Sequence, residues 1–179
     1  TAVEMVGRVG CVYETLTNPG AEACLEQLSA LRVPDDRFLL TSIFGASVEE
    51  IVAVAQLLAP VSDGLELNLS CPHAKGYGMA MGQDAGLVKE IIQAVKAVVN
   101  IPVVPKLTPN VPNIAEIARA AVEGGADALC AINTAGPAYY TAFGKPVLTN
   151  ELGGMSGRGV LPIALKCIRE MREAVDVPI

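Results

Sequence analysis

Hydrophobic positions along the chain fall into four short apolar runs, each followed by a longer amphipathic stretch. Leu39–Phe44, Leu65–Ser70, Pro102–Leu107 and Ala128–Asn133 have the length and apolar density of buried strands. After the first run, Val48, Ile51, Val52, Ala55 and Leu58 share one helical face. Leu87, Ile91, Val95 and Val98 do so after the second, and Ile114, Ile117, Ala121 and Val122 after the third. Ser47 with Glu50, and Asn113 with Glu116, have the spacing of capping boxes. Gly124-Gly125 marks the end of the third helix. Further helices are expected over about residues 19–31 and 162–175.

Alternating strands and helices predict a parallel sheet covered by helices. The two architectures in question are a (β/α)8 TIM barrel and a doubly wound open sheet. An open nucleotide-binding sheet usually carries Gly-x-Gly-x-x-Gly after its first strand, and the chain has none. The expectation is therefore α/β, a part of a (β/α)8 barrel. A whole barrel takes about 250 residues. The 179 residues here supply four complete strand–helix units, read as a single partial domain truncated at both ends.

In a barrel, reactive groups belong at the C-terminal ends of the strands. Ser42 ends the first run. Asn68, Ser70 and Cys71 end the second, Lys106 the third, and Asn133 and Thr134 the fourth. Alternation puts Glu66, Asn68 and Ser70 on one face, with Leu65, Leu67 and Leu69 on the other. The same parity pairs Val104 with Lys106 and Ala131 with Asn133. The leucines suit the helix layer and the polar set the barrel interior.

Each candidate has two readings. Lys106, inside Pro-Val-Val-Pro-Lys-Leu, is either a structural lysine paired with an acid such as Glu66 or a cation facing an anionic ligand or reduced cofactor. Cys71 is either inert packing or a base on a lid. It opens a glycine-rich loop, and sixteen residues separate Ser70 from Leu87, long for such a connection. His73 is either a second proton carrier or a hydrogen-bonding loop residue. Asn68 and Asn133 either satisfy backbone groups or read a planar imide, since an amide offers both donor and acceptor. Gly153-Gly-Met-Ser-Gly-Arg-Gly159 is either a simple lead into the last helix or a place where a cofactor comes close. Cys11, Cys24, Cys130 and Cys167 read as core or surface filler, and Tyr139 and Tyr140 as part of a long connection, residues 134–159.

Composition narrows the function classes. The chain is 51% hydrophobic, with mean hydropathy +0.43, enough for a large core. Its longest strongly apolar stretch, Ile51–Ser62, is too short to cross a bilayer, so no membrane role is expected. Net charge is −6 and aromatics are 4%, with no cluster of Lys or Arg. Nucleic-acid binding is not expected. Five widely spaced cysteines and one histidine, with no Cys-x-x-Cys, argue against a zinc or iron–sulfur site. Free thiols fit a reducing cytoplasm.

Read in order, Glu66-Leu-Asn-Leu-Ser-Cys-Pro-His73, Gly82-Gln-Asp84, Lys106-Leu-Thr-Pro-Asn110, Ile132-Asn-Thr134 and Gly153-Gly-Met-Ser-Gly157 resemble the class 1 dihydroorotate dehydrogenases, above all the archaeal-type enzymes. They also resemble the pyrimidine-reducing domain of dihydropyrimidine dehydrogenase. The resemblance implies an FMN-dependent oxidoreductase of pyrimidine biosynthesis, with Cys71 as general base. It implies that Ser42, Asn68, Lys106, Ile132 and Gly157 contact FMN, and that Lys106 also stabilises the reduced flavin. Asn68, Asn133, Thr134 and His73 would then hold the pyrimidine. Relatives pass electrons to fumarate, or to NAD through a separate iron–sulfur/FAD subunit, and a homo-oligomer is expected for the full-length form.

The resemblance has departures. Val12 stands where a substrate-binding Asn is expected and Thr15 where Gly is expected, while Glu14 would repel a substrate carboxylate. The first two and last strands of the family, with their flavin and phosphate contacts, are not in this chain, so the chain alone is expected to bind FMN poorly. The alternatives are a reductase of another pyrimidine, a non-redox phosphate-binding barrel using Lys106 as a Schiff-base or electrostatic lysine, and a fragment that folds only with a partner.

Overall fold

The structure is a computed structural model that describes residues 20–69, 81–148 and 151–179. Its centre is a four-stranded parallel sheet of β1 (Leu40–Ile43), β2 (Gly64–Asn68), β3 (Val103–Leu107) and β4 (Cys130–Ala131), in the spatial order β1-β2-β3-β4. Around it run α1 (Ala21–Ala30), α2 (Val48–Leu58), α3 (Ala85–Lys96), α4 (Ile114–Glu123) and α5 (Leu161–Ala174). Each helix packs against the next in sequence. Sequential strand order with one continuous helix layer is the arrangement of a barrel wall. A doubly wound sheet reverses its order and puts helices on both faces.

The sheet's two faces differ chemically. Leu65, Leu67, Val103 and Leu107 are sealed against the helices with Ile51, Val88, Ile91, Ile92 and Val95. Ser42, Glu66, Asn68, Val104 and Lys106 alternate with the buried residues and line the opposite, half-buried face. On α3 the buried face is Val88, Ile91, Ile92 and Val95. Leu87 is only half-buried and Val98 is exposed, so the sealed stripe is rotated from the expected Leu87–Val98 row. Positions spaced three, four and seven apart stay on one side of a helix, whereas steps of four drift around it.

Local signals set the helix ends. Ser47 accepts from the Glu50 amide at 3.2 Å and Asn113 from that of Glu116 at 3.4 Å. Glu50 folds back to the Ala46 amide at 2.7 Å, one residue before the cap. After α4, Gly125 adopts φ +99°, and the amides of Gly125 and Ala126 bond to Val122 and Ala121. These are the two bonds of a Schellman stop. Beyond α5, the Leu129 amide bonds to Pro178 at 2.8 Å, bringing the following segment beside β4.

Two aspartates hold the N-terminal ends of the strands. Asp63 accepts from the Leu39 amide and Asp127 from the Val103 amide, each at 2.7 Å, and Asp127 also binds Lys96 at 2.9 Å. Burial alone would raise the pKa of Asp127, but the Val103 amide and the Lys96 ammonium outweigh it and hold the carboxyl below its ordinary value. A lowered folded pKa stabilises above the unfolded value, near pH ~4, and that contribution disappears as pH falls through the folded one. Asp127→Ala strands the Val103 amide and is expected to cost about 1–3 kcal/mol. In urea titrations of the full-length protein, Asp127→Asn should lose stability less steeply than wild type below pH ~4.

The connection expected over residues 134–159 is instead built of antiparallel pairs. β5 (Ala135–Tyr139) pairs with β8 (Leu152–Met155), and β6 (Thr141–Ala142) with β7 (Lys145–Pro146). Phe143 and Gly144, at φ 52° and 74°, form the two-residue turn between β6 and β7. Positive φ at both positions suits the right-handed twist of a hairpin. Among the described residues, no helix is long and apolar enough to cross a membrane.

Candidate active site

Polar side chains gather at the C-terminal ends of the sheet, on the face away from the helices. Glu66 is at their centre. Its Oε1 accepts from Ser42 Oγ at 2.8 Å and lies 3.5 Å from Lys106 Nζ. The Lys106 and Glu66 side chains are 30% and 13% exposed, so the pair is partly withdrawn from water without being sealed. The anticipated pairing of Lys106 with Glu66 is thus present, and the ammonium still opens onto the concave face.

Cys130 joins this group. Burial pushes its thiol up to about 11, helped by the charge of Glu66 and a hydrogen bond to it and opposed by Lys106. Cys130 is opposite Lys106 in the strand register, so it occupies the inner face where alternation had put Ala131. Ala131 packs against the core instead. Cys130 is therefore neither core nor surface filler. The missed signal was the one-residue register of a two-residue strand, which no periodicity reveals.

The second group bridges β2 and the segment after β4. Asn133 Nδ2 donates to Asn68 Oδ1 at 2.8 Å, and Asn133 Oδ1 accepts from the Thr134 amide at 2.8 Å. The Asn133 amide bonds to Leu107 O at 2.9 Å, which carries the strand ladder past β4. Alternation stops at Ala131, and the Ala131–Ile132 peptide is cis. The Ile132 side chain lies against the core. Gly154 runs so close to Thr134 that a Cβ at 154 would collide with the threonine side chain. Part of the glycine-rich segment thus makes room for Thr134. Gly157 caps the short 3-10 turn Arg158–Val160 at φ +86°, a conformation that favours glycine.

Ser42, Asn68, Lys106 and Asn133 are on one side of the sheet, at or just past strand ends, and Thr134 follows with its side chain against Gly154. Ser70, Cys71 and His73, like Val12, Glu14 and Thr15, lie outside the described residues. Asp84 acts locally, capping α3 by accepting from the Leu87 amide at 2.9 Å. A cleft of about 300 Å³ at the opposite end of the strands, between Leu28, Leu39, Val61 and Asp63, contains none of these groups. Reactive residues of barrels sit at the other end. Among the described residues, no cluster of three or more His, Cys, Asp or Glu could hold a metal ion.

Known proteins resemble this chain in sequence and in fold. Residues 6–179 match the family model described as dihydroorotate dehydrogenase. The chain is 46% identical over 168 residues to the catalytic subunit of dihydroorotate dehydrogenase B (NAD(+)) from Pyrococcus horikoshii, covering 92% of this chain and 54% of the relative. The subunit of the same name from Methanocella arvoryzae is 53% identical over 142 residues, covering 79% and 47%. That from Methanothermobacter thermautotrophicus is 42% identical over 182 residues, covering 100% and 59%. The chain spans about half the length of the curated relatives it matches. In fold it is similar to the crystal structure of DHODH in complex with ferulenol from Eimeria tenella, at TM-score 0.64 and 19% identity, covering 90% of this chain and 51% of that one.

Proposed function

The chain belongs to the dihydroorotate dehydrogenase family, and from that premise we propose that the complete protein oxidises dihydroorotate to orotate with FMN. The observation that carries this reading is the Asn68–Asn133 amide pair, joined at 2.8 Å across β2 and the end of β4 beside Lys106. Two amides and a hydroxyl on one polar face suit the alternating donors and acceptors of a pyrimidine. The same donor set, with the Lys106 cation, fits the polar edge of a flavin.

Ser42, Asn68, Lys106, the Ile132 backbone and Gly157 would hold FMN, which when bound supplies the two-electron acceptor for the hydride from C6 of the substrate. Asn68, Asn133, Thr134 and His73 orient the pyrimidine. Cys71, as thiolate, takes the C5 proton and becomes the thiol; the C5–H and C6–H bonds break and the C5=C6 double bond forms. Lys106 places positive charge where negative charge develops. The relatives are catalytic subunits of an NAD(+) enzyme, which supports a partner subunit that passes the electrons on, of the iron–sulfur/FAD kind.

The test is a purified full-length protein with its native flavin, supplied in parallel with dihydroorotate and dihydrouracil. Orotate formation with bleaching of the flavin absorbance is the expected result. Turnover of dihydrouracil alone would replace this reading with a reductase of another pyrimidine. A full-length protein without flavin would overturn both.

A further inference from the structure

Asn110 follows β3 at the turn Thr108-Pro-Asn110, and every polar group it carries is engaged. Its side-chain Nδ2 donates to Thr134 O at 3.0 Å, and its Oδ1 accepts from the Gly136 amide at 2.9 Å. The orientation of the amide is unambiguous, because a carbonyl only accepts and an N–H only donates. Asn110 thus pairs with the 134–136 segment as a neighbouring strand would. Its own amide bonds to Thr108 Oγ1 at 3.2 Å, on a threonine that is 3% exposed, and its carbonyl accepts from Gln83 Nε2 at 2.9 Å.

Gln83 lies just before α3. Its neighbour Asp84 is fixed as the cap of α3. Gly82 passes so near Leu69 that an added Cβ would stand 3.1 Å from Leu69 O. Gly82 and Gln83 are therefore set beside the end of β2, and Asn110 ties them to Thr134.

We infer that Asn110 is a positioning residue for the substrate site, fixing Thr134 and registering it against Gln83 beside the end of β2. This rests on the proposal that Thr134 holds the pyrimidine. Thr134 is then held from three sides: its amide by Asn133, its carbonyl by Asn110, its side chain by the backbone at Gly154.

The experiment uses Asn110→Ala and Asn110→Asp in the full-length holoprotein. The aspartate keeps the shape and the acceptor for Gly136 but turns an oxygen toward Thr134 O. Losing one or two such bonds should raise KM for dihydroorotate about tenfold or more in both variants, with kcat per flavin changed less and flavin content retained. A space-filling role predicts instead that Asn110→Asp matches wild type. An unchanged KM, or activity that falls only in step with flavin content, would overturn the inference. Hydrogen exchange without substrate provides a separate readout. Asn110→Ala should lose protection at residues 134–136 while α3 keeps its own. If the wild type does not oxidise dihydroorotate, the functional reading fails first, and unchanged exchange at 134–136 would then sink the clamp as well.

Discussion

Replacing Cys71 with alanine in the full-length protein should slow dihydroorotate oxidation at neutral pH by roughly 10²–10⁴-fold, the contribution of a positioned general base. Only the thiolate can take the C5 proton, so the wild-type rate should rise with pH as the thiol ionises, then level off. Cys71→Ser keeps the shape but offers a far weaker base near neutrality. Its profile should stay low there and climb only in more alkaline solution. The described cysteines cannot stand in for Cys71. Burial pushes the thiols of Cys24 and Cys167 up, and burial with the Glu66 carboxylate takes Cys130 to about 11. All three are protonated at neutral pH. Alkylation near pH 7 that abolishes turnover should therefore spare these three and modify Cys71, with dihydroorotate slowing it. Full activity of Cys71→Ala at neutral pH would remove Cys71 from the mechanism.

The parts of the fold that could be read in advance are those whose pattern repeats. β1 to β3 begin and end within two residues of the apolar runs that predict them, because sealed and half-buried positions alternate along each. The helix starts followed from Ser47 and Asn113, whose side chains bond locally and need no tertiary contact to do so. What escaped was non-periodic. β4 is two residues long, too short for alternation to fix its parity, so the sequence alone leaves Cys130 looking like filler. The β6–β7 hairpin turns on Phe143, an unusual residue at positive φ, with only Gly144 as its signal. Asn110 could be quoted as part of Lys-Leu-Thr-Pro-Asn, but its role is set by Thr134, Gly136 and Gln83, all distant in sequence. Likewise the Lys106–Glu66 pair was foreseeable from inward parity, whereas the Ser42 and Cys130 contacts to the same carboxylate needed the strand register.

Lys106→Met should lower the rate of flavin reduction by dihydroorotate about 10²–10³-fold and make the flavin harder to reduce, because a neutral side chain of similar length replaces the cation beside the developing charge. The structure makes a sharper comparison possible, since Lys106 also pairs with Glu66 at 3.5 Å. If the lysine only neutralised Glu66, then Lys106→Met and Glu66→Gln would both lower stability and leave the rate nearly intact. If it serves the cofactor, the rate follows the lysine alone. Glu66→Gln keeps a carbonyl for Ser42 and leaves the ammonium in place, so its rate should fall no more than about tenfold. The double variant decides between the roles. Removing both charges relieves the carboxylate that Lys106→Met leaves without its partner, so much of the lost stability should return. The rate should not return with it. Cys130 reports the same charges independently: Glu66→Gln should let its thiol pKa fall from about 11, and Lys106→Met should push it higher. Recovery of both stability and rate in the double variant would make Lys106 a structural partner of Glu66 and leave electrostatic stabilisation of the flavin to other groups.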